Sequence, residues 1–227
     1  MIMHISDNII KELLKNVYFL SGGAYGGKTT MAKLLEQKYG LFRYRQGDNY
    51  DKFTAIATQE FQPTISFDRS IDWHGYFSQE PSQYAKWLDL GLKEETEFVI
   101  MDLIKISQNQ KVIADAIIPI DVLIRIADYS QVILLFAPEE MTRKHYFDRA
   151  DKDDVLQFIL SFPDGEELLK NVIEGLHYNY ETKRNEYINS GFKYIERTSN
   201  DTIENTLKMI EEHFNLSQTI ELNMEDK

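Results

Sequence analysis

The segment Gly22-Gly23-Ala24-Tyr25-Gly26-Gly27-Lys28-Thr29 meets the spacing G-x-x-x-x-G-K-[ST] at every fixed position. The chemistry that this spacing serves is the holding of a phosphate chain. Glycines let backbone N–H donors approach phosphate oxygens closely, and a helix that begins at the end of the loop adds its positive pole. In such a loop the ammonium of Lys28 reaches the β- and γ-phosphates, and the hydroxyl of Thr29 is offered to Mg²⁺ bridging the same groups. Thr30 follows in the same first turn, so the candidate phosphate-binding set runs from Gly22 to Thr30. The competing reading is a glycine-rich turn that fits by chance, and the flanking elements decide between the two.

Those elements are the ones the chemistry needs. Val17-Tyr18-Phe19-Leu20 is a short apolar run of strand type, and Met31, Leu34, Leu35 and Lys38 have helical spacing, giving strand, glycine loop, helix. A short helix over Ile9–Leu14 precedes them, behind Ser6 and Asp7 as caps. Leu41–Arg45 reads as a second strand, Asn49–Phe61 is ambiguous, and Gln62–Trp73 reads as a loop around Pro63. Pro81 suits the first turn of a long helix with Tyr84, Trp87, Leu88, Leu92, Val99 and Leu103 on one face, and Gly91 is where it would break in two. Lys111-Val112-Ile113-Ala114 and Gln131–Phe136 read as buried strands, with a short helix at Ile120–Ile126 between them and Pro138 ending the second. Helices are expected at Glu139–Tyr146, Asp154–Leu160 and Glu166–Asn189, then a strand at Phe192–Glu196 and a helix at Ile203–Phe214. Strands alternating with helices imply an α/β domain with a parallel sheet.

Composition narrows the partners. The chain has 227 residues, of which 43% are hydrophobic and spread along its length, enough for one domain with a sizeable core. No apolar run approaches the roughly 20 residues that cross a bilayer, and Met1–Lys15 carries Asp7, Lys11, Glu12 and Lys15 in place of a secretory core, so a cytoplasmic protein without a membrane partner is expected. A net charge of −12 repels a nucleic-acid backbone, and the absence of cysteine leaves oxygen ligands as the natural metal chemistry. A GTP-reading N-K-x-D is absent. Asp72-Trp73-His74-Gly75 matches D-x-x-G, but the residues before it, Ser66–Ile71, make no convincing buried strand, so the match reads as coincidence.

From Val17 to about Phe214 the sequence resembles the small P-loop kinases of the nucleoside and nucleoside-monophosphate kinase type. Gln46-Gly47-Asp48-Asn49-Tyr50-Asp51-Lys52 is similar to the Q-x-D-x-[FY]-x-K stretch of uridine-kinase-like enzymes. That likeness makes Asp48 the base that accepts the acceptor hydroxyl's proton, and a substrate contact; an Asx-type turn is the alternative. Val112-Ile113-Ala114-Asp115 ends an apolar strand in a carboxylate where these kinases contact the Mg²⁺ shell, so Asp115 joins Thr29 as a metal candidate, with a helix cap as the competing role. Arg143, Lys144, Arg149 and Lys152, after the strand at Gln131–Phe136, are similar to the family's Arg-bearing lid. Arg149-Ala150-Asp151 is a loosened form of its R-D ending, which favours Arg149 over Arg143 as the residue closing on the transferring phosphoryl group. A solvated face paired with Asp148, Asp151 and Asp153 is the alternative.

Arg197-Thr198-Ser199-Asn200-Asp201 occupies the place of the family's loop near adenine, nominating Asn200, although Ser199 and Asn200 are equally good helix caps. Asp68-Arg69-Ser70 is similar to the E-R-S triplet of deoxynucleoside kinases and nominates Arg69 for the acceptor. Trp73, Tyr76, Phe77, Tyr84 and Trp87 could stack on a base, but ring-rich segments more often form core.

The resemblance implies a three-layer α/β/α P-loop NTPase fold in one domain over residues 1–216. It would carry a substrate-side segment near 62–108, a lid near 139–165 and an acidic tail at 217–227. It also implies an ATP- and Mg²⁺-dependent phosphotransferase acting on a hydroxyl or phosphate of a small, nucleoside-like acceptor, as monomer or homodimer. A nucleotide-binding regulatory module and an NTP hydrolase switch are the alternatives.

Overall fold

The computed structural model describes residues 5–66, 72–148, 153–198 and 200–216. Its centre is a five-stranded, all-parallel sheet in the order β2-β3-β1-β4-β5, formed by β1 (Val17–Ser21), β2 (Phe42–Arg45), β3 (Val112–Asp115), β4 (Val132–Phe136) and β5 (Lys193–Glu196). Every residue of β3 and β4 is buried, which is why both read as unbroken apolar runs: a parallel sheet is covered on both faces.

Side-chain alternation sorts the two faces. Val17, Phe19, Val112, Ala114, Val132 and Leu134 share a cluster with Leu14, which ends α1 (Asp7–Leu13), and with α3 (Tyr50–Ile56), α5 (Pro81–Ser107) and α6 (Ile120–Ile126). Leu20, Ile113, Ile133 and Leu135 point the other way, to Met31 and Leu35 of α2 (Lys28–Tyr39) and Ile210 of α11 (Ile203–His213). Helices therefore cover both faces, in a three-layer α/β arrangement.

The remaining helices are α4 (Trp73–Phe77), α7 (Glu139–His145), α8 (Asp153–Leu160), α9 (Gly165–His177) and α10 (Tyr180–Asn189). A separate apolar cluster, Phe77, Tyr84, Ile159, Leu168 and Val172, ties α4, α8 and α9 to the first turns of α5. Rings that were candidates for base stacking are spent here on one another: Tyr76 lies 4.8 Å from Trp87, 5.3 Å from Tyr84 and 5.7 Å from Trp73, centroid to centroid. Among the described residues no helix is long and apolar enough to cross a membrane.

Three local expectations change. Helix α5 runs unbroken through Gly91, because that glycine serves a close approach: a Cβ there would lie 3.3 Å from Thr64 Cγ2. The crossing segment is held by the Glu94 carboxylate, which accepts from the backbone N–H of Thr64 and Ile65 and from the Thr64 hydroxyl at 2.7–3.1 Å. The helix expected over 166–189 divides into α9 and α10, the chain leaving helical geometry at Asn179 (φ −105°, ψ 20°). The ambiguous stretch after Asn49 contains α3. The D-x-x-G match proves to be a helix cap, with Asp72 Oδ1 accepting from Gly75 N at 3.0 Å.

Candidate functional site

The chain leaves β1 through α2 toward β2 on one side of the sheet, and leaves β4 toward β5 on the other. The strand order thus reverses between β1 and β4, and in open parallel sheets the crevice at such a reversal is where ligands bind. The glycine loop fills it. A Cβ on Gly22 would meet Leu135 O at 2.4 Å, and one on Gly26 would meet the Leu135 carbonyl carbon and oxygen at 2.4 Å. Backbone is therefore packed on backbone at the end of β4, an approach that only glycine permits. Left-handed φ values at Gly22 (109°), Tyr25 (62°) and Gly27 (91°) wind the loop into the start of α2. Gly27 occupies the N-cap, so no N-cap side chain covers the first N–H groups of α2.

Two polar contacts organise the lysine and threonine that follow. Lys28 Nζ donates to Gly23 O at 2.5 Å, folding the ammonium back over the loop. Thr29 Oγ1 donates to Asp115 Oδ2 at 2.6 Å. Asp115 is 7% exposed, and its strand register with Leu20 sets it beside the residues that open the loop. The cap role considered for Asp115 is not the one the structure shows, because α6 begins only at Ile120, behind Pro119. A hydroxyl has one proton, so with that proton given to Asp115 its lone pairs face the opposite side.

Asp48 lies in a 3₁₀ turn (Gln46–Asn49) directly after β2, at the same edge of the sheet, since Arg45 is in register with Asp115. Its side chain is 57% exposed and accepts from Arg45 Nη1 at 3.0 Å, an ion pair. Beside it stand two paired side chains, one of which motif reading passed over. Gln46 Oε1 accepts from Ile117 N at 2.8 Å, two residues past Asp115, and the Gln46 side chain also bonds Glu95 of α5. Burial raises the Glu95 carboxyl, and the Gln46 bond opposes the rise. The neighbouring Tyr50 phenol is pushed up to about 12, first by burial and then by the charges of Glu95, Asp51 and Glu94. Gln46 belonged to the stretch that nominated Asp48; Glu95, inside a long amphipathic helix, carried no motif signal.

The segment after β4 arranges its charges differently from the expectation of a phosphate-facing lid. Arg143 Nε donates to Glu139 Oε1 at 2.7 Å, and Nη1 and Nη2 donate to the two carboxylate oxygens of Glu174 at 3.0 and 3.1 Å, directing the guanidinium to α9. Arg149, Lys152 and Arg69 lie outside the described residues. Among the described residues of this segment, His145 meets the glycine loop, its ring stacking on Tyr25 with centroids 5.8 Å apart and planes 27° from parallel.

From the far side, Arg197 Nη1 donates to Tyr25 O at 3.3 Å, bringing the loop after β5 to the glycine loop. That loop is folded by Asp201 Oδ2, which accepts from Thr198 N and Oγ1 at 2.6 and 3.0 Å, and Asn200 sits within the turn, exposed. The structure therefore gathers Gly22, Gly23, Ala24, Tyr25, Gly26, Gly27, Lys28, Thr29, Thr30 and Asp115 at one place, brings Asp48 to the neighbouring strand end, and turns Arg143 toward α9. The chain matches no protein-family model and no curated protein.

Proposed function

We propose that this chain is an ATP-dependent phosphotransferase that moves the γ-phosphoryl group to a hydroxyl or phosphate of a small acceptor, nucleoside-like by preference. The observation that carries the reading is the Thr29–Asp115 bond at 2.6 Å, joining the glycine loop to the strand beside it. It couples a helix N-terminus, an ammonium and a buried carboxylate around one point, which is what a triphosphate with its cation requires. The donor set fits Mg²⁺. It supplies a hydroxyl and a carboxylate, both hard oxygens, and among the described residues no group of three or more His, Asp or Glu forms a complete protein cage. Mg²⁺ suits such a partial site because it keeps waters and phosphate oxygens as its other ligands. When bound, it would neutralise charge on the β- and γ-oxygens.

In this reading the backbone N–H groups from Gly22 to Thr30 hold the phosphate chain, and Lys28 exchanges the Gly23 carbonyl for phosphate oxygens. Asp115 keeps the Thr29 hydroxyl turned toward the cation. Asp48 accepts the proton of the attacking hydroxyl and must first leave Arg45, while Gln46 and Glu95 line the acceptor side. Arg149 closes over the charge and Asn200 borders the base. The exposed pair of Asp48 with Arg45 is also what a chain that binds nucleotide without transferring it would show.

Thermal unfolding with ATP and Mg²⁺ tests the reading. At about 100 times Kd a ligand stabilises by roughly 2.7 kcal/mol, a rise of about 5–10 °C for a chain of this size, expected for wild type and absent for Lys28→Ala. Asp48→Asn should keep the ATP shift and lose acceptor phosphorylation by at least about a hundredfold. An unshifted wild type ends the nucleotide reading; a fully active Asp48→Asn ends only the base assignment.

A further inference from the structure

Tyr25 is a strained point in the loop. Its φ of 62° puts a non-glycine side chain in the left-handed region, a strained conformation that persists only where surrounding contacts impose it. Arg197 holds the Tyr25 carbonyl, and His145 covers the Tyr25 ring. His145 is itself held. Its Nδ1 lies 2.5 Å from Asp148 Oδ2, so Nδ1 donates to that oxygen and Nε2 lies at the opposite edge of the ring. Helix α7 thereby carries an imidazole of fixed orientation onto the middle of the glycine loop, while its arginine is engaged at three atoms by Glu139 and Glu174.

We infer that His145, oriented by Asp148 and seated on Tyr25, contacts the terminal phosphoryl group of the bound nucleotide. Its Nε2 edge would donate a hydrogen bond to a phosphoryl oxygen. The inference rests on the nucleotide reading above and gives His145 the part for which Arg143 was nominated. It also accounts for a tyrosine where glycine would be relaxed: the phenol ring is the seat that sets the height of the imidazole above the loop. The competing explanation is a latch, in which the stack only holds α7 down and touches no nucleotide.

The two differ in what they do to ATP relative to ADP. A contact on the terminal phosphoryl strengthens ATP alone, whereas a latch changes both nucleotides together. Affinities of ATP·Mg²⁺ and ADP·Mg²⁺ would be measured by calorimetry without acceptor for wild type, His145→Phe, His145→Ala and Asp148→Asn. The phenylalanine keeps a ring on Tyr25 and removes the donor. It should therefore retain the wild-type unfolding midpoint and ADP affinity within about twofold, and lose about tenfold in ATP affinity, the scale of one hydrogen bond to a charged group. Asp148→Asn should lose ATP preference in the same direction and by less, because it disturbs the orientation of the ring and leaves the ring in place. An ATP-to-ADP ratio in His145→Phe equal to that of wild type overturns the assignment to His145 and leaves the nucleotide reading standing. A wild type that binds neither nucleotide overturns both.

Discussion

A Cβ added at Gly26 would meet the Leu135 carbonyl at 2.4 Å, and one added at Gly175 would meet the Tyr84 ring at 2.6 Å. The distances are similar and the obstacles are not. Around the glycine loop the neighbour is the backbone of β4, held in a central strand by hydrogen bonds on both sides. Around α9 the neighbour is a side chain, the Tyr84 ring with its Cβ at 3.0 Å, in a cluster of rings and aliphatic groups that must repack to make room. One end of the molecule is therefore shaped by main-chain geometry. The part built from α4, α8, α9 and the start of α5 is shaped by side-chain packing and by ion pairs such as Arg143 with Glu174.

The comparison breaks first at its two glycines. Gly26→Ala is expected to cost about 2–3 kcal/mol in urea unfolding and to abolish the ATP-dependent shift, since neither the strand nor the loop can move apart cheaply. Gly175→Ala should cost about 1–2 kcal/mol and leave nucleotide binding intact. Gly47, with no atom within 4 Å of an added Cβ, is the control and should stay within about 0.5 kcal/mol of wild type as alanine. Equal costs at Gly26 and Gly175 would remove the distinction between the two regions.

A pH measurement sharpens the side-chain-built half. His177 is buried between α7 and α9, with Nδ1 2.8 Å from Ile173 O and Nε2 3.1 Å from Thr142 Oγ1. Burial lowers its pKa below the ordinary 6.5 against the opposing bond to the Ile173 carbonyl, and Arg143 adds to the lowering while Glu139 and Glu174 oppose it. A depressed histidine binds its proton more readily in the unfolded chain, so the stability it contributes is present above about pH 6.5 and is lost as pH falls through the folded-state value. The unfolding midpoint of wild type should drop between pH 7.5 and 5.5, and His177→Gln should flatten that drop. An unaltered slope would mean that other groups carry it.

Among the substitutions expected to change stability, the smallest effect belongs to Arg143→Ala. Its side chain and that of Glu174 are 35% and 47% exposed, so solvent screens the pair, and the loss at neutral pH should not exceed about 1 kcal/mol. The Arg143 guanidinium lowers the Glu174 carboxyl below its ordinary 4.5. That contribution is present above pH 4.5 and disappears as pH falls through the lowered value, so wild type and variant should converge in acid.

The amino-acid sequence by itself determined the parts that depend on backbone. Five strands, their parallel alternation with helices and the glycine loop at the end of the first were legible, the three central strands because a buried parallel strand must be apolar on both faces. A loop packed on a neighbouring strand must likewise be glycine at defined places, and such requirements leave their mark in consecutive residues. Thr29 and Asp115 could be nominated from their positions at an element's start and end, but they are 86 residues apart, and their bond exists only because β3 lies beside β1. Tertiary structure alone decided the rest. It turned Arg143 to Glu174, spent Tyr76, Tyr84 and Trp87 on one another, brought Glu95 to Gln46 and set His145 on Tyr25. Each of these is a choice among partners made by a flexible side chain, and such a choice follows from which helices pack together, information that no local spacing of residues contains.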